Sequence, residues 1–269
     1  MSYKLHILVV TALVLCLCAG AAPAGADSPF ALETKREWIL LGTGAALGIT
    51  SLSMLSHVDP LTLDEIAALD INDINSFDRG AVGPYRETRA GDGMLHASFL
   101  LPLTFLTYGE TRDDWRTIGV MWIETIILQA SINGIVKAAV LRTRPYAYDP
   151  GTPIDRKTSE AARLSFYSGH TGTAAANSFF VASVFHEYLT SRKAKVLIWT
   201  GAALYPALTG FLRRDSGHHW RTDVITGYVV GGLIGCLVPR LHLTGADRGV
   251  SLQPVSSFDC TGLAVEVSF

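Results

Sequence analysis

Apolar residues gather in six stretches of helical length, at about 38–55, 94–108, 118–140, 172–189, 196–212 and 224–241. Ala, Leu and small residues dominate them and the alternation typical of strands is absent, so the pattern predicts six helices packed as a bundle around an all-α core. Residues 57–92 are rich in Asp, Asn, Gly and Arg. They are too polar for a core and predict a segment that wraps the bundle surface, with one short helix at 61–69. A second long connection, 145–168, carries Pro145, Pro150, Gly151 and Pro153. Connections of this length inside a compact domain are usually functional, and a lid is the expectation. At 249–269 the period changes to two on either side of a turn at 259–262, which predicts a short C-terminal β-hairpin tail.

The 269 residues lie near the upper limit for a single core. The expected division is a signal peptide at 1–26, a first helix and polar surface segment at 27–93, a catalytic domain at 94–242 and a hairpin tail at 243–269. Only 17% of residues are charged, against about 25% in ordinary soluble domains, which points to a membrane or heavily buried helical protein. With 22 basic and 24 acidic residues the chain has no excess of positive charge for nucleic acid, so any basic site must be local. Lys4, an apolar run at 7–18 and small residues ending Ala24-Gly25-Ala26 before Asp27 read as an export signal. Cys16 and Cys18 leave with it. Cys236 and Cys260 remain, and both a disulfide between them and a buried free thiol at Cys236 are open.

The chemistry is concentrated in three places: Lys137 with Arg144-Pro145, then Ser168-Gly169-His170-Thr171, then Arg213 with His219 and Asp223. Each has an ordinary reading: cations closing a helix C-terminus, a Ser N-cap beside an incidental His, and a surface His–Asp pair one turn apart. Together, in one order, they reach a chance probability of only ~10⁻⁵ if independent, and that decides for function.

Lys137-x6-Arg144-Pro145, Ser168-Gly169-His170 and Arg213-x5-His219-x3-Asp223 together resemble the three-part signature of the type 2 phosphatidic acid phosphatase and vanadium haloperoxidase superfamily. The resemblance covers about residues 94–242. Two positions depart from it: Tyr167 stands where the family usually has Pro, and Leu212 where it often has Ser. The resemblance implies the six-helix fold of that superfamily and a phosphoric monoester hydrolase. It makes His219 the nucleophile that forms a phosphohistidine, Asp223 the residue that fixes its tautomer, and His170 the acid on the leaving oxygen and later the base on water. Lys137, Arg144 and Arg213 would hold the phosphate, aided by Ser168 and the Gly169 amide at a helix N-terminus. No His, Asp or Glu grouping shows metal-ligand spacing along the chain, and the cations supply the charge that many phosphatases take from metal ions, so no metal and no cofactor are expected. A bell-shaped pH profile on the acidic side of neutral follows. His218 is out of register with Arg213 and Asp223. Arg142, Tyr146, Arg156 and Lys157 flank the site in sequence, where solvated surface charge is the simpler reading.

Basic residues at Arg112 and Arg116 and at Arg192, Lys193 and Lys195 mark those loops as cytoplasmic, which places the catalytic loops outside. A cleaved signal followed by six full spans would place them inside, so either the first segment is not a simple cleaved signal or not every helix spans. Both resolutions leave a site facing the periplasm of a bacterial cell envelope. A phosphorylated lipid or lipid pyrophosphate, or a small phosphate ester, is the expected partner, with a membrane and without nucleic acid. The alternatives are a vanadate-dependent haloperoxidase and a non-catalytic lipid-phosphate-binding membrane protein.

Overall fold

The computed structural model describes residues 28–83, 85–87 and 89–244, and the backbone of two strands beyond them. The signal-peptide expectation at 1–26 lies outside the described residues. Six helices organise the bundle: α1 (Thr34–Leu55), α2 (Arg89–Ser98), α3 (Trp115–Val140), α4 (Gly169–Tyr188), α5 (Arg192–Asp215) and α6 (Arg221–Leu241). The class is all-α, as the sequence pattern predicts. The second element is shorter than the run at 94–108. It breaks at Ser98 and gives way to 3-10 turns over Leu101–Thr107, because Pro102 has no N–H to offer the Ser98 carbonyl. In the tail, strand β1 (Val250–Ser257) pairs antiparallel with β2 (Cys260–Val267), Val250 opposite Val267 and Ser257 opposite Cys260. Cys236 is a free thiol.

Helix α4 is the axis of the bundle, packed against α6, α5, α3 and α2. It is apolar or small on every side, and Ala174, Ala175, Ala176, Phe180 and Val184 are all buried, which is what a helix surrounded by helices requires. Helix α6 is two-faced. A Cβ on Gly227, Gly231 or Gly235 would fall 2.6, 2.0 or 2.4 Å from the carbonyl oxygens of Ser168, Gly172 and Ala176, so α6 lies backbone to backbone on α4. On its other face Ile225, Val229, Leu233 and Leu237 are exposed at helical spacing, as are Leu197, Leu204, Leu208 and Phe211 on α5. Apolar stripes of this extent have no place in water. The segments Thr34–Leu55, Trp115–Tyr148, Arg192–Asp215 and Arg221–Leu241 are long and apolar enough to cross a bilayer. The chain is a membrane-associated protein.

Helices α3 and α5 end, and α4 and α6 begin, at the same end of the bundle, and this gathers the three sequence motifs. Helix α3 closes there on Leu141, whose φ of 49° is left-handed although the residue carries a Cβ. That conformation costs roughly 1–2 kcal/mol outside glycine. Leu141→Gly is therefore expected to stabilise the protein by about 1 kcal/mol and raise its unfolding midpoint in detergent by about 2–4 °C. A lower midpoint would show that the Leu141 side chain contributes more than its backbone costs.

The two polar connections are more structured than their composition predicts. Residues 57–92 meet the 145–168 segment and the helix ends at the motif-bearing end of the bundle, with a helix at Leu63–Ala67 capped by Thr62 and Glu65. They also bury Asp78 completely. Its carboxylate accepts from Thr222 N (3.0 Å), Thr222 Oγ1 (2.7 Å), Asn75 Nδ2 (2.9 Å) and an Arg142 guanidinium nitrogen (2.8 Å). The segment 145–168 forms short helical turns whose Tyr146, Ala147 and Ala162 share a small core with Leu61 of the first connection. The expected lid is a packed cap.

Candidate active site

The site is built from four helix ends and the cap. Lys137 comes from the last turn of α3. Arg144 follows it in extended backbone, anchored by its N–H to the Ala162 carbonyl at 2.8 Å. Ser168 is the N-cap of α4, its hydroxyl accepting from Thr171 N at 3.4 Å and meeting Thr171 Oγ1 at 2.9 Å. This cap starts α4 at Gly169, three residues before the apolar run at 172, and leaves the first-turn amides of Gly169 and His170 without intrahelical acceptors, where an anion is favoured. A Cβ on Gly169 would lie 2.7 Å from Asn133 Oδ1 and 3.5 Å from Lys137 Nζ, so the lysine ammonium sits against this turn. Asn133 also donates to the Tyr167 carbonyl at 2.9 Å, fixing the turn where the family usually has Pro. Arg213 ends α5, buried.

His219 is 1% exposed. Its Nδ1 lies 2.8 Å from the Ser165 carbonyl, which only accepts, so Nδ1 carries the hydrogen and Nε2 keeps its lone pair. Asp223 stands behind this contact. Its Oδ2 is 3.6 Å from His219 Nδ1, and its carboxylate accepts from the Ser165 hydroxyl, from Trp220 N at 2.9 Å and from Arg142 at 2.6 Å. The direct acceptor on the imidazole is thus the backbone of Ser165, and Asp223 holds Ser165. Burial above all, then the charges of Arg144, Arg213, Lys137 and His170, push the proton affinity of His219 well below the ordinary imidazole range. His218, the neighbour set aside on register, packs against the rings of Tyr85 and Tyr146, which also touch each other, with Nδ1 3.0 Å from Ser216 Oγ.

Two participants escape the sequence motifs. Arg142 is no solvated charge: it bridges the buried carboxylates of Asp78 and Asp223, donates to Thr222 Oγ1 at 2.7 Å and lies over the Trp220 ring. Asp92, in the first turn of α2, sets Oδ1 2.8 Å from His170 Nε2 and 3.0 Å from an Arg213 nitrogen. Nothing in its spacing singles it out, since α2 is brought to the site only by packing on α4 and α5. Burial and the charge of Arg213 lower His170 to about 4, while Asp92 acts in the opposite direction. In the acid role that the resemblance implies, His170 must hold its proton, and activity would be lost as pH rises through its pKa. Asp92→Asn removes the raising contact. The alkaline limb of kcat/KM is expected to move to lower pH by roughly one unit. A limb that stays in place or moves to higher pH would separate Asp92 from His170.

Residues 119–246 match the model of the family described as the PAP2 superfamily. All three motifs lie within that match. This part of the chain is a PAP2-superfamily domain, and the enzyme class it brings is phosphoric monoester hydrolase. The chain is also similar to a solved structure described as the first transmembrane PAP2 type phosphatidylglycerolphosphate phosphatase from Bacillus subtilis, at 19% identity over 86% of this chain and 92% of that one, with a TM-score of 0.42. No curated protein matches.

Proposed function

We propose that the chain hydrolyses a lipid phosphate monoester through a phosphohistidine on His219, with protein cations in place of metal ions in the chemistry. The observation that carries this reading is the Ser165 carbonyl on His219 Nδ1, which leaves Nε2 unprotonated within the field of Lys137, Arg144 and Arg213. Nε2 attacks phosphorus, the ester P–O bond breaks, and the leaving oxygen takes the proton of His170. His170, now neutral, removes a proton from water. The oxygen of that water displaces His219 from phosphorus, and inorganic phosphate leaves with both imidazoles restored. The incoming phosphate dianion is itself an anion beside His170 and raises its proton affinity, so the alkaline limb of kcat lies at higher pH than that of kcat/KM.

The lipid part of the reading rests on the apolar faces of α5 and α6, which reach Phe211 and Ile225 at the catalytic end and offer a track for acyl or prenyl chains. The catalytic end faces outward in this reading, because Lys35, Arg36, Arg112, Arg116, Arg192, Lys193 and Lys195 border the other ends of the helices. Phosphate release from a panel of lipid phosphates, lipid pyrophosphates and a soluble chromogenic monoester, in excess chelator, tests the assignment. Chelator-resistant turnover with kcat/KM highest for a lipid phosphate is expected. Loss of turnover with brief chelation, or equal kcat/KM for the soluble ester, would overturn the metal-free or the lipid part respectively.

A further inference from the structure

Linear spacing shows no metal motif, yet the fold brings together three ligand-type side chains at the end of the bundle away from the phosphate cradle. Glu37 in the first turn of α1, Glu124 in α3 and His242 just past α6 are all buried, and one ligand atom from each lies within 4.8 Å of the others. Glu124 and Lys137 are separated along α3 by roughly 20 Å at 1.5 Å per residue. His242 Nδ1 lies 2.8 Å from the Val238 carbonyl. That carbonyl only accepts, so Nδ1 is the protonated nitrogen and Nε2 is turned to the carboxylates, 3.2 Å from Glu37 Oε2 and 3.2 Å from Glu124 Oε2.

A single hydrogen on Nε2 cannot serve both acceptors well. Glu37 is satisfied from elsewhere, accepting from Glu33 N at 2.6 Å and from the Arg36 guanidinium at 2.8 and 3.3 Å. Glu124 is not. It is 1% exposed and, beyond the 3.2 Å approach of His242 Nε2, neither of its oxygens has a hydrogen-bond donor. A carboxylate in that state, in the interior of a membrane-associated bundle, is among the costliest groups a protein can hold, and such residues mark sites. The spacing also fits a ligand set. Donors bound tetrahedrally at about 2.0–2.1 Å stand about 3.3 Å apart, close to the 3.2 Å found on both edges here. A backbone carbonyl on the far nitrogen is the usual support of a metal-binding imidazole.

We propose that Glu37, Glu124 and His242 bind a divalent transition metal, zinc by the chemistry of one imidazole and two carboxylates. The ion joins α1, α3 and α6 at that end and takes no part in phosphate transfer. The competing arrangement is a metal-free triad with His242 as imidazolium, and the charges favour neither: with Arg36 present, a zinc ion carrying one hydroxide and an imidazolium proton neutralise the cluster equally.

The test is elemental analysis of the full chain, purified in detergent without added metal, beside Glu124→Gln. About one zinc per chain is expected in the wild type and almost none in the variant, with phosphate release retained in both. Zinc added to stripped wild type should raise the unfolding midpoint by several degrees and leave Glu124→Gln unmoved. Cobalt(II) loaded into stripped wild type should give the visible d–d bands of a low-coordinate site, a readout that needs no variant. Wild type with far less than one metal per chain and no zinc-dependent stabilisation, or Glu124→Gln that keeps the metal, would overturn the proposal in favour of the imidazolium triad or of binding elsewhere.

Discussion

His219→Ala is expected to lower chelator-resistant phosphate release by at least about 10⁴-fold while leaving the unfolding midpoint within a few degrees of wild type. The size follows from the role: a missing nucleophile removes the covalent route altogether, and the phosphate cradle alone gives only weak catalysis. His218 cannot take over, because its ring is packed in one cluster with Tyr85 and Tyr146 and its Nδ1 is engaged with Ser216. Its proton affinity, lowered to about 3 by burial and by Arg213 and Arg144, suits a neutral wall of the site. Steady-state assays on both proteins at matched lipid concentration make the comparison. Residual activity within tenfold of wild type would remove His219 from the reaction.

Gly231→Ala should have the largest effect on stability of any single added methyl. Its Cβ would stand 2.0 Å from the Gly172 carbonyl oxygen, a backbone atom that cannot swing aside, so α6 must move off α4. Overpacking of this kind costs about 3 kcal/mol or more, a large share of the 5–15 kcal/mol that keeps a protein folded. The damage reaches the site, since Ser168 N donates to the Asp223 carbonyl at 3.0 Å across the same helix pair. Gly232→Ala is the matched control. There the added Cβ meets Phe179 at an ordinary 3.4 Å, and alanine gains helix propensity. Thermal unfolding in one detergent should therefore show a fall of roughly 10 °C for Gly231→Ala and little change for Gly232→Ala. Equal midpoints would mean that the two helices are not in backbone contact.

Legibility in the sequence followed the range of the interactions. Helix periodicity and the three motifs are local, so the bundle and the grouping of the motif residues could be read directly. The break of the second helix was also local, but Pro102 lay inside an apolar run that masked it. What stayed hidden was the pairing of distant charges. Asp78, Asp92 and Arg142 look like solvent-facing residues of polar connections, and only the fold shows Arg142 between Asp78 and Asp223 or Asp92 against His170 and Arg213. The same holds for Glu37, Glu124 and His242, which no spacing rule joins. Asp223 is an intermediate case: its helical spacing from His219 is visible in sequence, but the Ser165 carbonyl that receives the imidazole hydrogen is fifty-four residues away.

The central claim is that phosphate passes through His219. It is tested most directly by mixing the enzyme with a lipid phosphate, quenching in alkali, where phosphohistidine survives, and mapping the bound phosphate by peptide mass spectrometry. Phosphate on His219 is the predicted result, absent from His219→Ala and longer-lived in His170→Ala, which lacks the base that activates water. Phosphate mapped to another side chain, or turnover without any phosphoenzyme in wild type and His170→Ala alike, would contradict the mechanism.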